Sequence, residues 1–299
     1  MNITTLLRIL REDILDDLPS NDSPHEDDYG WSTSYLIDKI AEAEKEAAER
    51  SLLLHDRNTA AICSVDVTAS TATYTLDSRV YLVDKVLFDG ELMDKVQVDD
   101  LDDYDSDWRT TEGTPTKFIQ EDRKISLLPI PDADGTMTLE VYRRPLTDIN
   151  NVYDDWAADT VYAAGSYVKD TDGEYLFYTE SGGTSDAAEP TWDTDTGAST
   201  TDNTVTWTTI GPYKITPEID EGFHRDLLYW AAHRAFSRRT ENLYNEREAL
   251  YYLNRFEEVF GRRRSARELQ ALRRNPETMR MTPTNYYGTR TRNWNERDW

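Results

Sequence analysis

Carboxylates are the commonest reactive groups in this 299-residue chain: 58 Asp and Glu stand against 33 Lys and Arg, with 4 His and 1 Cys. Such a set opens three chemistries, namely acid–base catalysis by a carboxylate pair, cation binding and attack by a thiolate. Each needs a spacing that the sequence does not supply. The acidic run VDDLDDYDSDW, Val98 to Trp108, lacks the central Gly and terminal Glu of a calcium loop, so it reads as a solvated loop. The tetrapeptides DADG from Asp132 and DTDG from Asp170 carry the residues that hairpin turns require in any case. His25, His55, His224 and His233 form no HExxH pair and have no cysteine partner, which argues against zinc. Cys63, alone in the apolar run AAICSV, reads as a buried thiol rather than a nucleophile and fits assembly in a reducing compartment. The chain has no GxSxG, GxxxxGK[ST] or GxGxxG motif. A glycosidase pair would have to face each other across a cleft on a larger scaffold than the pieces left over here. The expectation is a protein that is not an enzyme and needs no cofactor or metal.

Aromatic side chains are the remaining functional candidates. They concentrate in DWAADTVYAAGSYVKDTDGEYLFYTESGGTSDAAEPTW, Asp155 to Trp192. A flat ring can cover the apolar face of a pyranose while neighbouring polar groups take its hydroxyls. A very small domain also needs its largest rings inside. Trp156, Tyr162 and Trp207 are therefore read as core, and Tyr175, Tyr178 and Trp192 as the exposed candidates for touching a sugar.

The elements that must carry these residues follow from periodicity. Ile3, Leu6, Leu7, Leu10, Ile14 and Leu18 mark one face of a short helix stopped by Pro19. A long helix follows Ser32 or Ser34 as N-cap, with Leu36, Ile40, Ala43, Ala47, Ser51 and Leu54 on one face. From Ala60 to about residue 146 the pattern is that of a mostly antiparallel sheet, with a tight turn at Asp89-Gly90. Thr216, followed by Pro217, is the expected cap of a helix whose buried stripe is Ile219, Phe223, Leu227 and Trp230. A second helix runs through Leu243, Leu250, Leu253, Phe256 and Phe260, and Gly261 ends it. The fold class is thus α+β: a helical bundle from both chain ends, an antiparallel sheet and an inserted small all-β module. The expected divisions are residues 1–151 with 213–274 as host, 152–212 as insert and 275–299 as an extended arm.

Charge restricts the partners. A net charge of -25 repels phosphate backbones and anionic membranes. The N-terminal stretch has no unbroken apolar run of signal-peptide type, and no stretch has the apolar length of a membrane span. The end of the chain differs in sign, with GRRRSARELQALRRNPETMRM followed by TRTRNWNERDW.

Two resemblances give these pieces a setting. The pattern W-x3-T-x-Y-x2-G-x2-V…G-x-Y…P-x-W…W, carried by Trp156, Thr160, Tyr162, Gly165, Val168, Gly173, Tyr175, Pro190, Trp192 and Trp207, resembles the small carbohydrate-binding module found beside chitinases and inserted in tailed-phage structural proteins. Where the chitin-binding relatives carry adjacent tryptophans, this chain has LFYTES. The host segment GTPTKFIQEDRKISLLPIPDADGTMTLEVYRRPLTDI, with Gly113, Pro115, Phe118, Pro129, Tyr142 and Pro145, resembles the sheet of phage head-to-tail adaptor proteins. That likeness implies a virion structural protein of the neck, assembled in the host cytoplasm. It further implies a homo-oligomeric ring, a dodecamer, which contacts the portal and the tail or nozzle proteins and lets genomic DNA pass without specific binding. Arg262, Arg263, Arg264, Arg273 and Arg274, with Trp294 and Trp299, are the residues it suggests for docking on portal. The alternative function is lectin-like, with the inserted module attaching the virion to a glycan.

Overall fold

The computed structural model describes residues 1–18, 29–98, 101–102, 107–239 and 243–274, with residue 274 described by its backbone alone. His25, most of the acidic run after Val98, the side chain of Arg274, and Trp294 and Trp299 in the arm lie outside the described residues. The fold is mixed α and β, with several antiparallel sheets and a small number of helices. Two compact units divide the chain: residues 1–55 with 142–263, and residues 56–141 with the segment from 264.

The first unit begins with helix α1, Ile3–Ile9, capped by the Asn2 side chain, which accepts from the Thr5 amide. The chain continues as a π-helical turn to Leu15 and stops where Asp16 takes a left-handed conformation. Arg11 then fixes the return of the chain. It donates to Asp17 at 2.6 Å and to the Trp31 carbonyl at 2.9 Å, while Asp17 accepts from the Gly30 amide. Helix α2, Thr33–Ser51, starts at Ser32, whose hydroxyl accepts from the Tyr35 amide. Of the two capping serines expected, Ser32 is the one used.

Helix α3 spans Leu227–Phe236 and helix α4 Glu246–Phe260. Leu36, Ile40, Leu228, Ala231, Ala232 and Ala235 share one core with Ile3 and Leu6 of α1 and with Leu10 of the π-helical turn. Ala43, Ala47, Leu227, Trp230, Phe256 and Phe260 form a second. Alanines of α2 and α3 line the contact between these helices, and the aromatics Trp230, Phe256 and Phe260 fill the contact of α3 with α4. Arg50 is buried beside this second core, paired with Glu46 at 2.8 Å and lying over the Trp230 ring at 4.9 Å.

One helix start differs from expectation. The residues after Thr216 form no α-helix until Leu227; only Glu221–Phe223 make a short 3-10 turn. The reason is a competing use of the expected first-turn acid. Glu218 accepts from Arg143 at 2.5 Å and from the Leu146 amide at 2.9 Å, and its own amide donates to Glu44. These long-range bonds hold the segment out of a helix against its local preference.

The second unit contains two sheets. In the first, β1 (Ser64–Val67) pairs antiparallel with the strand Gly135–Arg143, which also neighbours Val80–Phe88. The second contains β2 (Thr73–Thr75), and we number the remaining strands β3 (Val80–Phe88), β4 (Glu91–Leu92), β5 (Asp94–Lys95), β6 (Lys117–Glu121), β7 (Lys124–Leu128) and β8 (Gly135–Arg143). Strands β3 and β4 form the hairpin expected at Asp89-Gly90, where both residues have positive φ, 47° and 89°. Order in the second sheet is β2-β7-β6-β5, and β5 pairs with β6 in parallel. A second parallel pairing joins Ile130–Pro131 to Glu112–Gly113, so the sheet region is less uniformly antiparallel than its hairpins suggest. Val83, Val86, Phe118, Ile125, Leu127, Met137, Leu139 and Val141 form its core, with Cys63 buried among them. Helix α5, Ala266–Arg274, packs against β6.

The chain between residues 152 and 212 makes the remaining strands: β9 (Val161–Tyr162), β10 (Tyr167–Lys169), β11 (Tyr175–Tyr178), β12 (Gly183–Thr184), β13 (Ser199–Asp202) and β14 (Val205–Pro212). Strands β10-β11-β14-β13 form an antiparallel sheet, and β9 pairs with β12. Among the described residues these six strands pair only with one another.

Candidate functional site

Alternation along β10 and β11 sorts the aromatic residues onto two faces. Val168 pairs with Phe177 and Tyr167 with Tyr178; neighbouring residues on a strand point to opposite faces, so these two pairs cannot share one. Val168 and Phe177 belong to the buried cluster with Trp156, Val205 and Trp207. Asp202 is the polar centre of this small core and is only 2 % exposed. Its Oδ2 accepts from Trp156 Nε1 at 2.8 Å and from Trp207 Nε1 at 3.1 Å, while Oδ1 accepts from the Asp186 amide at 2.7 Å. The two tryptophans can therefore be inside because one carboxylate takes both of their donors. Tyr162 packs edge-on against Trp207.

The three sugar-binding candidates are not brought together. Trp192 stacks on Phe177 at 3.9 Å between ring centroids and donates its Nε1 to Glu189 at 2.8 Å. Tyr175 packs against the same cluster. Only Tyr178 lies on the other face, and there it meets two residues that the sequence reading passed over. Tyr178 contacts the Tyr167 ring at 4.8 Å, and Tyr167 stacks on Tyr153 at 5.1 Å. The signal for Tyr167 was present: in SYVK it alternates with a buried valine and is itself 40 % exposed. Burial, with Tyr167 and Tyr213 nearby, pushes the Tyr153 hydroxyl above its usual range, so it is a neutral donor at physiological pH. Beside Tyr153 opens a cleft of ≈ 430 Å³, lined also by Asp154, Asp155, Lys169 and Tyr213. Lys169 is paired with Asp155 across it.

Arg262, Arg263 and Arg273 of the arginines suggested for docking have partners within their own units. Arg262 pairs with Glu257 at 3.4 Å and Arg263 with Glu46 at 3.4 Å, and both side chains are largely exposed. Arg273, with a side chain 11 % exposed, donates to the Tyr81 carbonyl at 3.1 and 3.3 Å and to Asp122 at 2.6 Å. It clamps α5 onto β3 and the turn between β6 and β7. Arg264 is also engaged in interactions. Nearby, Lys95 donates to Gln120 at 3.1 Å, and burial, outweighing the field of Asp84 and reinforced by Arg273, pulls its ammonium down to about 8. His224 and His233 each hydrogen-bond a backbone carbonyl, Ile219 at 2.9 Å and Ala249 at 2.8 Å, which is a structural use of both rings.

A profile of the SU10 adaptor proteins matches residues 1–188, from α1 through both sheets and into the small β module. The chain belongs to the SU10 adaptor protein family. It is therefore a phage structural adaptor protein of the virion neck, a place that brings it against other virion proteins such as portal and tail. No curated protein matches the chain.

Proposed function

We propose that this chain is the subunit of a head-to-tail adaptor ring, a dodecamer that joins portal to tail and lines the channel through which DNA leaves. The observation that carries the reading is the family match over 188 residues, which spans the α1–α2 pair and both sheets of the second unit. The charge of -25 supports it physically. A wall rich in Asp and Glu offers few cationic sites at which DNA could release its counterions, so the duplex slides without sticking. The basic C-terminal segment, with Arg262, Arg263, Arg264, Arg273 and Arg274 and the aromatic anchors Trp294 and Trp299, is the portal-docking element in this reading.

The adaptor domain comprises residues 1–151 with 213–274, residues 275–299 form the arm, and residues 152–212 form an accessory module. The self-contained strand pairing of that module supports its accessory status, and the aromatic pattern from Trp156 to Trp207 supports a second reading, attachment of the virion to a glycan. The test is assembly with purified portal, followed by size-exclusion chromatography and electron microscopy. The full chain is expected to form rings on portal, and truncation after Gly261 to weaken attachment. A tight solitary dimer that ignores portal would contradict the ring.

A further inference from the structure

Helix α5 follows α4 after only the linker GRRRS, residues 261–265, yet the two helices belong to different units: α4 to the first, α5 to the second. Gly261, Arg262, Arg263 and Ser265 of that linker are exposed, and Gly261 has a φ of 77°, which glycine adopts without steric cost. The seat of α5 is a surface seat. The helix lies against β6, Arg273 bonds the Tyr81 carbonyl and Asp122, and Asp122 stands in the β6–β7 turn with its side chain 82 % exposed. No described residue of α5 enters the buried core clusters of the second unit. Leu269 and Leu272 are half-buried, and Ala266, Arg267, Gln270 and Ala271 are exposed. Lifting α5 from its seat therefore opens no core. Charge holds it there: residues 261–274 carry six Arg against one Glu, and residues 56–141 carry nineteen Asp and Glu against eight Lys and Arg. Such an attraction acts equally toward the seat on another copy of the chain.

We propose that α5 is exchanged between copies in the assembled ring, the α5 of each subunit seating on β6 and the β6–β7 turn of the next, where its Arg273 bonds the Tyr81 carbonyl and Asp122 of the partner subunit. The exchanged contacts are those already made within one chain, so the transfer forfeits none of them, and an element passed head to tail around an axis closes a ring. A helix of 9 residues that buries so little apolar surface adds little to the fold of its own unit. Repeated at every subunit boundary, the same helix ties each copy to its neighbour. The exposed linker is the part that changes course, and a glycine at its first position gives it the freedom to do so. The proposal rests on the ring reading.

Isotope-mixed cross-linking of the full chain tests it. Arg273→Lys keeps the cation and sets an amine against Asp122, and a carbodiimide joins amine and carboxylate as an amide while taking up the released water as its urea. Subunits of this variant grown with and without ¹⁵N are mixed in equal amounts, assembled on portal, coupled and digested, and the peptide pair joining positions 273 and 122 is weighed. Exchange is expected to give mixed labels in about half of these pairs in rings, because neighbours then differ in label half the time, and in none of those from the chain without portal. Coupled pairs that carry one label only in rings overturn the proposal. A second measurement covers the case in which Arg273→Lys does not couple: Arg273→Cys on one chain and Asp122→Cys on another, mixed in rings and treated with a bismaleimide, give covalent dimers only across a subunit boundary. The wild-type chain, whose single thiol Cys63 is buried, is the control. Rings in which neither pair couples between chains overturn the exchange and leave the ring reading standing, whereas failure of the wild-type chain to form rings on portal overturns both.

Discussion

Replacing Asp202 by Ala removes the one carboxylate that accepts both buried indole N–H groups of the small β module. Trp207 is fully buried and Trp156 nearly so, so water cannot replace the lost partner without opening the core. A buried donor left unpaired costs roughly 1–3 kcal/mol, which gives about 2–6 kcal/mol for the two indoles. The Asp186 amide, at 2.7 Å from Oδ1, loses its partner as well, but its residue is exposed and water can take over. A unit of this size is marginally stable on its own, so the substitution is expected to unfold the module selectively. Tryptophan fluorescence during urea titration reads the effect, because both indoles move from a dry core to water. Asp202→Asn keeps one oxygen, which placed at the Oδ2 position can still accept from both indoles, and should cost less than Asp202→Ala. A loss below about 1 kcal/mol in Asp202→Ala would falsify the account of the core, since that is less than one unpaired donor should cost.

Other predictions concern the two host units. Gly135→Ala places a Cβ 2.6 Å from Phe88 Cζ and 2.9 Å from Asp89 Oδ2; we expect roughly 1–3 kcal/mol of destabilisation from overpacking, read as a shift in the urea midpoint. Arg273→Ala removes the clamp to Tyr81 and Asp122, and faster hydrogen exchange in residues 266–274 should follow, with the β3 and β8 amides unchanged. Glu218 gives a pH signature: burial pushes its carboxyl up, but the hydrogen bond from Arg143, with the Leu146 amide and the Lys214 charge, holds it below 4.5 overall. Its contribution is therefore present above pH 4.5 and lost as pH falls through the depressed folded value, and Glu218→Gln should flatten that acid limb in a denaturation series. Glu44 has the opposite sign. Burial on α2 raises its carboxyl above 4.5 despite Lys214, so its term weakens stability as pH rises from 4.5 through the raised value, and Glu44→Gln should change that limb instead.

Local chemistry made several of these features legible in the sequence. Asp89-Gly90 announced its hairpin because two positive φ angles in succession are favoured by that dipeptide. Ser32 and Gly261 bounded their helices as cap residues do. Trp156 and Trp207 were identifiable as core from domain size alone, although Asp202, which lets them be buried, carried no local signal: its partners are as far as 46 residues away. Thr216 misled for the same kind of reason, because Thr-Pro-Glu is a good local helix start and only the fold shows Glu218 engaged with Arg143. The arginine-rich segment after Gly261 gave little apolar pattern, so α5 and its clamp at Arg273 were not foreseen. Among the aromatic candidates, a count of exposed rings failed where strand alternation would have succeeded. Trp192 and Tyr175 belong with Phe177, and Tyr178 belongs with Tyr167.

The most direct test of the adaptor account is electron cryo-microscopy of the virion neck, with this chain fitted to the density. A ring of copies between portal and tail, its inner wall carrying carboxylates and residues 152–212 pointing away from the channel, is the predicted result. Density for this chain at another position in the virion, or as isolated copies that do not encircle the DNA path, would contradict it.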